Sequence, residues 1–536
     1  MDSTTEQTID ERPPWHSFLA SPALVALLGA LIAGGAGVLQ LRMLRFGALA
    51  PSQTPVFWAW FLGLGIGLAL AGAILGALAG RRKVVSFVLA AVFPIALFWL
   101  LLPGNVRERP HVLLLVTDTT RSDHLSVYGY EKKTTPFLDS YADRSVVFTN
   151  SVSQGTHTIV STPSIVASCY PSEHGITGYA DVLSNRFTLI SEYLHEYGYN
   201  TYGYATNPHL SPRNGYGQGF DKYEHDPGWA YTPAEKVNDR FFAWLSEQDE
   251  DPFFGFLFYI DPHNPYTPPP AFQTLFDPEW KGDPISDWKH EWGEPEPAKL
   301  KNMVAQYDGA ICYWDSELRK MFERLEALGV MENTMFLYTS DHGEEFYEHG
   351  YWGHNKLPYE SSVGVPFIVS FPPPIDFPPL PRVHGTVEEV VSNVDVVPTL
   401  LEYLRIEPDE TARGRSAVPL VFGGEQGPER IAYGEEILKR YGPYDIRSVR
   451  TKTHKYIKVF QYENIANPPD LFFDLVEDPM EQRNLTTERA EEAGLHEQIL
   501  DLRIAEVSGL GSVEVDTVAM DEAQLERLKA LGYLGD

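Results

Sequence analysis

Three short, uninterrupted apolar runs stand out along the chain, and each ends on a carboxylate: Val112–Val116 leads into Asp118, Phe253–Ile260 into Asp261, and Met335–Tyr338 into Asp341. Runs of this kind predict strands buried on both faces, as in a parallel sheet covered by helices. In such sheets the carboxyl ends of the strands open onto one crevice, where ligands bind. Asp118, Asp261, Asp341 and His342 are therefore expected to converge despite their separation in sequence. Between the runs the period changes to a helical one, for instance over Asp315–Leu328, closed by Gly329. Alternating strands and helices imply an α/β domain with a mixed, mostly parallel central sheet between helices. The Pro-, Trp- and Asp-rich stretch from Asp261 to Pro297 reads as a long loop flanking the crevice. From about Glu429 the pattern turns short and β-like (Ile446–Arg450, Lys455–Val459, Leu471–Leu475), which predicts a small β-rich subdomain. A last helix is predicted over Asp521–Leu531, with Asp521 as its cap and Gly532 as its stop.

The first hundred or so residues read differently. Phe18–Leu39, Val56–Gly80 and Val84–Leu102 are uncharged apolar stretches, each near the ~20 residues needed to cross a bilayer. They predict a three-helix membrane segment. The acidic N-terminus lacks a basic region, which argues against a cleaved signal peptide. Arg81-Arg82-Lys83 is the tightest basic cluster and belongs in the cytoplasm, which puts the remainder in the periplasm or cell exterior. The expected organisation is 1–105 tail and membrane helices, 106–428 catalytic domain, 429–485 C-terminal subdomain, and 486–536 tail with the terminal helix.

Composition narrows the chemistry. A formal charge of -31 and a sequence pI near 4.9 argue against nucleic acid as a partner, because phosphate contacts need Lys and Arg. The only cysteines, Cys169 and Cys312, have neither metal-type nor redox-type spacing, so zinc-thiolate and cysteine-nucleophile chemistry are set aside. Two Asp and a neighbouring His at strand ends instead suit a divalent ion: Mn or Zn for two carboxylates and an imidazole, Ca or Mg if further oxygens join. A second ion is left open.

Five segments together carry a resemblance: VTDTTRSDHLSVYGY (116–130), YPSEHG (170–175), TSDHGEEFYEHG (339–350), GHNKLPYE (353–360) and LFFDLVEDPMEQRNL (471–485). In order and rough spacing they resemble the sulfatase family of the alkaline-phosphatase superfamily, from about residue 110 to 485. The resemblance implies a divalent metal held by Asp118, Asp341 and His342, with the nucleophile as a further ligand. Many sulfatases carry two successive Asp where this chain has Asp118-Thr119, and Asn where it has His342. Both departures move the site toward the phosphatase-like side of the superfamily.

The family's nucleophile is a Cys or Ser, oxidised to formylglycine, in a Cys/Ser-x-Pro-x-Arg signature. The segment THTIVSTPSIVASCYPSEHG (156–175) lacks that Arg. Spacing from Tyr170-Pro171 selects Thr158, with Ser161 at the fourth position of the signature; local similarity selects Ser161 itself. Thr158 is the preferred nucleophile, since threonine cannot become formylglycine but a metal-activated Thr hydroxyl is competent in phosphoryl transfer. By resemblance, Lys356 and His354 bind the non-bridging oxygens or protonate the leaving group. His263, in DPHNPYTPP, is a further oxyanion binder, Arg121 is a clamp on the first loop, and His174 and His349 are packing or loop residues. The expected activity is hydrolysis of phosphate, phosphonate or sulfate esters through a covalent Thr intermediate. The alternatives are a true sulfuric ester hydrolase in the Ser161 frame, an envelope phospho-group transferase, or a degenerate binding protein. With the site outside the membrane, an envelope glycan or a lipid head group is the expected substrate class.

Overall fold

The computed structural model describes residues 109–508, apart from 227–230, 288–292, 355, 373–384, 424–426, 439–443 and 463–467, together with 515–518. Six strands come first: β1 (His111–Thr117), β2 (Val146–Val152), β3 (Asn200–Ala205), β4 (Lys222–His225), β5 (Phe253–Tyr259) and β6 (Thr334–Ser340). A short ribbon follows, β7 (Glu345–Phe346) with β8 (Trp352–Gly353), and then β9 (Phe367–Ser370) and β10 (Gly385–Ser392). The main sheet has the order β10-β2-β9-β6-β1-β5-β3-β4. Only β9 runs against its neighbours, so the sheet is mixed and mostly parallel.

The three apolar runs are β1, β5 and β6, and they lie side by side at the centre. Both faces of these strands are covered, which is why they read as continuous hydrophobic stretches. Val112, Leu114, Val116, Phe254, Phe256, Met335 and Leu337 pack on one face. Leu113, Leu115, Phe253, Leu257, Phe336 and Tyr338 pack on the other. The first face is covered by α1 (Thr158–Ala167) and the second by α2 (Ala234–Leu245) and α3 (Pro297–Ala327). Each fully buried Leu or Phe contributes about 2 kcal/mol to this core. In the parallel register Thr117 pairs with both Tyr259 and Ser340, so the three strands end flush. The residues that follow them leave the sheet at one edge.

Helix α3 begins at Pro297, well before the Asp315 start that periodicity predicts. Its first half buries polar side chains that interrupt the apolar stripe. Asn302 bonds Asp277, and Asp308 receives His124, Tyr130 and Lys132. At the predicted start itself, Asp315 accepts the backbone N–H groups of Phe137 and Leu138. Such partners come from elsewhere in the chain and are invisible to a local pattern.

A second, antiparallel sheet follows, built in chain order from β11 (Ala432–Leu438), β12 (Tyr444–Arg450), β13 (His454–Tyr462) and β14 (Leu471–Asp474). Between α1 and this sheet in sequence lies α4 (Val396–Leu404), whose Val396, Leu400 and Leu401 join the first face of the main core. The second sheet is covered by α5 (Ala490–Ser508), which local patterning did not predict because Leu495 and Leu502 are exposed and blur its stripe.

The helix expected over Asp521–Leu531 lies outside the described residues, as do the three apolar stretches of the N-terminal segment. Among the described residues no helix is long and apolar enough to cross a membrane. The expected multi-pass localisation with an extracytoplasmic catalytic part is corrected accordingly: no membrane span is found among the described residues to carry it, and the envelope substrate that depended on it is withdrawn.

Candidate active site

Asp118 and Asp341 leave the carboxyl ends of adjacent parallel strands, and the main chain ties them together. The Asp341 N–H donates to the Thr117 carbonyl (3.2 Å) and the Asp118 N–H to the Tyr259 carbonyl (2.8 Å). Asp341 Oδ1 accepts the N–H groups of Thr119 (3.2 Å) and His342 (2.8 Å), which turns Oδ2 the other way. Thr119 adopts a left-handed backbone at φ 58°, which folds the loop back over Asp341. The glycine of the Asp-His-Gly motif has a steric cause: a Cβ at Gly343 would stand 2.1 Å from the Ser361 carbonyl oxygen.

Asp118, Asp341 and His342 are fully buried, and one potential ligand atom from each lies within 4.8 Å of the others. His342 Nδ1 donates to the Gly343 carbonyl at 2.9 Å, so its Nε2 carries a lone pair. That lone pair faces Asp118 Oδ1 at 3.7 Å and Asp341 Oδ2 at 3.6 Å. Neither of those carboxylate oxygens has a hydrogen-bond donor. Burial pushes both carboxyls up, Asp341 pushes Asp118 further, and burial lowers the His342 imidazole to about 3. Three electron-rich atoms turned toward one point in a dry interior are unfavourable unless a cation joins them. The donor set therefore fits a divalent metal.

Thr158 is the first residue of α1, with His157 as its cap accepting the Ile159 N–H at 3.3 Å. Its Oγ lies 3.3 Å from His342 Nε2. The positive end of the α1 dipole thus faces the cluster, which favours an anionic oxygen there. Ser161, one turn on, is equally buried, but its Oγ donates to the His157 carbonyl at 3.0 Å within the helix.

The histidines expected to touch an oxyanion gather on one side. The His354 ring centroid is 4.5 Å from that of His342 and 5.4 Å from that of His263. His263 Nδ1 donates to the Asn264 carbonyl. The Lys356 ammonium lies over the Tyr351 ring, 4.6 Å from its centroid. Asp261 needs a correction. It leaves β5 at the same sheet edge, but its Oδ1 accepts from Tyr231 Oη (2.7 Å) and the Ala234 N–H (3.0 Å), so it caps α2 and stands outside the metal-type group. Arg121 is buried and grips Asp123, Glu348 and the Glu344 carbonyl, locking the loop after β1 to the loop after β6. His174 bonds the Val160 carbonyl, and His349 stacks on Tyr359, as packing residues do.

Two residues escaped the sequence reading. Asn207, just past β3, donates to Asp118 Oδ2 at 2.7 Å and to Thr158 Oγ at 3.3 Å. Glu344 receives His354 Nδ1 at 2.9 Å and Tyr266 Oη at 2.9 Å. Burial pushes the Glu344 carboxyl up to about 7. The one local signal for Asn207 was its place beyond a strand end, and β3 (NTYGYA) lacks the unbroken apolar run that marked the other strands.

Residues 110–406 match the family model "Sulfatase", and residues 347–505 match that of the C-terminal region of N-sulphoglucosamine sulphohydrolase. An arylsulfatase of Clostridium perfringens is 26% identical over 448 residues, covering 70% of this chain and 90% of that one. A multifunctional alkaline phosphatase superfamily protein of Trinickia caryophylli is 26% identical over 304 residues, covering 48% of this chain and 56% of that one. The crystal structure of a phosphonate monoester hydrolase of Agrobacterium radiobacter has the same fold, with a TM-score of 0.62 at 22% identity over 74% of this chain and 96% of that one. With more than half of its length inside the family model, and with the strand-end Asp, Asp-His group buried at one sheet edge, the chain belongs to the sulfatase family and is an ester hydrolase of that family.

Proposed function

We propose that this hydrolase cleaves phosphate or phosphonate esters, with Thr158 as the nucleophile and a covalent phospho-threonine intermediate. The observation that carries the reading is the 3.3 Å approach of Thr158 Oγ to His342 Nε2, inside the group formed by Asp118, Asp341 and His342. Those three side chains, with Thr158 Oγ beside them, would hold the divalent cation, and Mn or Zn suits the donor set. Such an ion lowers the pKa of a neighbouring hydroxyl and offsets charge on the ester oxygens.

The chain's own groups supply the remainder. Thr158 Oγ attacks phosphorus, the ester P–O bond breaks, and the leaving oxygen needs a proton. The Glu344 carboxylate on His354 Nδ1 supports the imidazolium form, whose Nε2–H gives that proton. The neutral ring that remains keeps its Nδ1 proton on Glu344. His263 and Lys356 take the outer oxygens, a role for which the support is the family resemblance together with the position of His263 beside His354. Water then attacks phosphorus and gives a proton to the neutral His354 Nε2, the Thr158 Oγ–P bond breaks, and Thr158 Oγ takes from solvent a proton in place of the one it released there on attack. A threonine cannot enter the formylglycine route of sulfate hydrolysis, which is why a phosphorus ester is preferred. The Ser161 frame is disfavoured because that hydroxyl is committed to its own helix.

The test is to quench turnover of a 4-nitrophenyl phosphate or phosphonate ester and to locate the adduct by mass spectrometry. Thr158→Ala should bind metal yet lose turnover by at least about 1,000-fold, the scale of losing a nucleophile. An adduct on Ser161, or sulfate esters turned over in preference, would overturn the reading.

A further inference from the structure

Asn207 is fully buried, and its side-chain orientation is determined by its neighbours. Its Oδ1 accepts the His209 backbone N–H at 3.0 Å, which identifies the amide nitrogen as the atom that faces the cluster. That nitrogen has two hydrogens and two acceptors: Asp118 Oδ2 at 2.7 Å and Thr158 Oγ at 3.3 Å. We infer that Asn207 is a catalytic residue whose amide is the hydrogen-bond donor to the Thr158 oxygen through both halves of the reaction. The inference rests on Thr158 being the nucleophile.

In the first half the Thr158 Oγ–P bond forms, the ester P–O bond breaks, the threonine proton passes to solvent and the leaving oxygen gains one from His354 Nε2. Charge is greatest on Oγ just before attack. In the second half a water O–P bond forms, the Oγ–P bond breaks, and Thr158 departs as an alkoxide that is reprotonated. A donor fixed on Oγ before either step stabilises that charge with no reorganisation, in the manner of an oxyanion hole. The two halves draw on it unequally. For an aryl ester the departing aryl oxide is a good leaving group, whereas a threonine alkoxide is a poor one, so the donor matters most when the adduct breaks down. Being neutral, the amide adds no cationic charge, and its bond to Asp118 Oδ2 leaves Oδ1 turned toward Asp341 and His342.

The experiment is quenched-flow turnover of 4-nitrophenyl phosphate by the metal-loaded protein, with the nitrophenolate burst, the Thr158 adduct mass and the bound metal measured on the same samples. Asn207→Ala should keep its metal, slow adduct breakdown by about 100-fold, and accumulate phospho-threonine. Asn207→Ser, which restores a short hydroxyl donor, should recover part of the rate. Formation and breakdown at wild-type rates in Asn207→Ala would overturn the inference while leaving Thr158 as nucleophile. Loss of metal in proportion to activity would overturn it as well, reducing Asn207 to a support for Asp118. Should the alanine variant not fold, Asn207→Leu keeps the shape without the donor and without new charge; there slow breakdown with metal retained supports the inference and an unchanged rate overturns it. A wild-type protein with no adduct on Thr158 is a different result, and it sinks the nucleophile reading itself.

Discussion

Two groups of carboxylates, one at the edge of the main sheet and one against the second sheet, are balanced in opposite ways. At the edge of the main sheet, Asp118 and Asp341 face a histidine lone pair, with no Lys or Arg paired to either among the described residues. On the second sheet, Glu360 and Glu481 close on the ammonium of Lys455, at 2.6 and 3.0 Å, and Arg450 adds a second cation to Glu360 at 3.4 Å. Burial raises both glutamates, but Lys455 and Arg450 pull Glu360 down to about 2, while the more deeply buried Glu481 stays up at about 7 despite Lys455. Asp118 has no such help and is pushed up. The difference teaches what each cluster is for. Where the chain supplies its own cation, the carboxylates brace the fold; where it withholds one, the cost of burial is left for a ligand to offset.

Breaking the self-balanced cluster should have the larger effect on the fold. Lys455→Met leaves buried Glu481 and half-buried Glu360 without their central cation and should cost about 3 kcal/mol in denaturant unfolding. A change below ~1 kcal/mol would mean that the pair is not truly desolvated. The other cluster should respond in the opposite sense. Saturating metal at about a hundred times Kd should raise stability by about 2.7 kcal/mol, and a chelator should remove it together with activity. Asp341→Asn should abolish that metal-dependent gain while raising the stability of the metal-free protein, because one of the facing negative charges is gone; a less stable metal-free variant would contradict the account of repulsion.

A pH titration sharpens the comparison further. A Glu whose carboxyl is depressed in the folded state contributes stability that is complete above its ordinary value of 4.5 and lost as pH falls toward about 2. The wild type should therefore lose stability as pH falls across that interval, and Lys455→Met should flatten the slope. The smallest effect is expected at Ser161. Its hydroxyl bonds only the helix carbonyl of His157, so Ser161→Ala should cost about 1 kcal/mol or less and leave turnover within a few-fold of wild type.

Much of the candidate site is legible in one dimension because its residues stand at the ends of buried strands. Val112–Val116 and Met335–Tyr338 announce β1 and β6, and the flush register of Thr117 with Ser340 brings Asp118 and Asp341 together. The same logic put Asp261 at that edge but could not tell a ligand from a helix cap, a distinction made by Tyr231 and the start of α2. Spacing and the chemistry of threonine favour Thr158 over Ser161 in sequence, although both lie in one Ser/Thr-rich segment. The helix they share separates them further, turning one hydroxyl to the cluster and the other to a carbonyl.

By itself, then, the sequence determined the three central strands and the Asp, Asp-His set at their ends, because apolar runs ending on acids reflect local burial and strand direction, and its five motif segments carried the family resemblance. The tertiary structure decided what depends on partners remote in the chain: the true start of α3, the capping role of Asp261, the Glu344–His354 pair, and Asn207 between Asp118 and Thr158. A hydrogen bond between residues far apart in sequence leaves no periodic trace in either, and only the folded backbone brings donor and acceptor within reach.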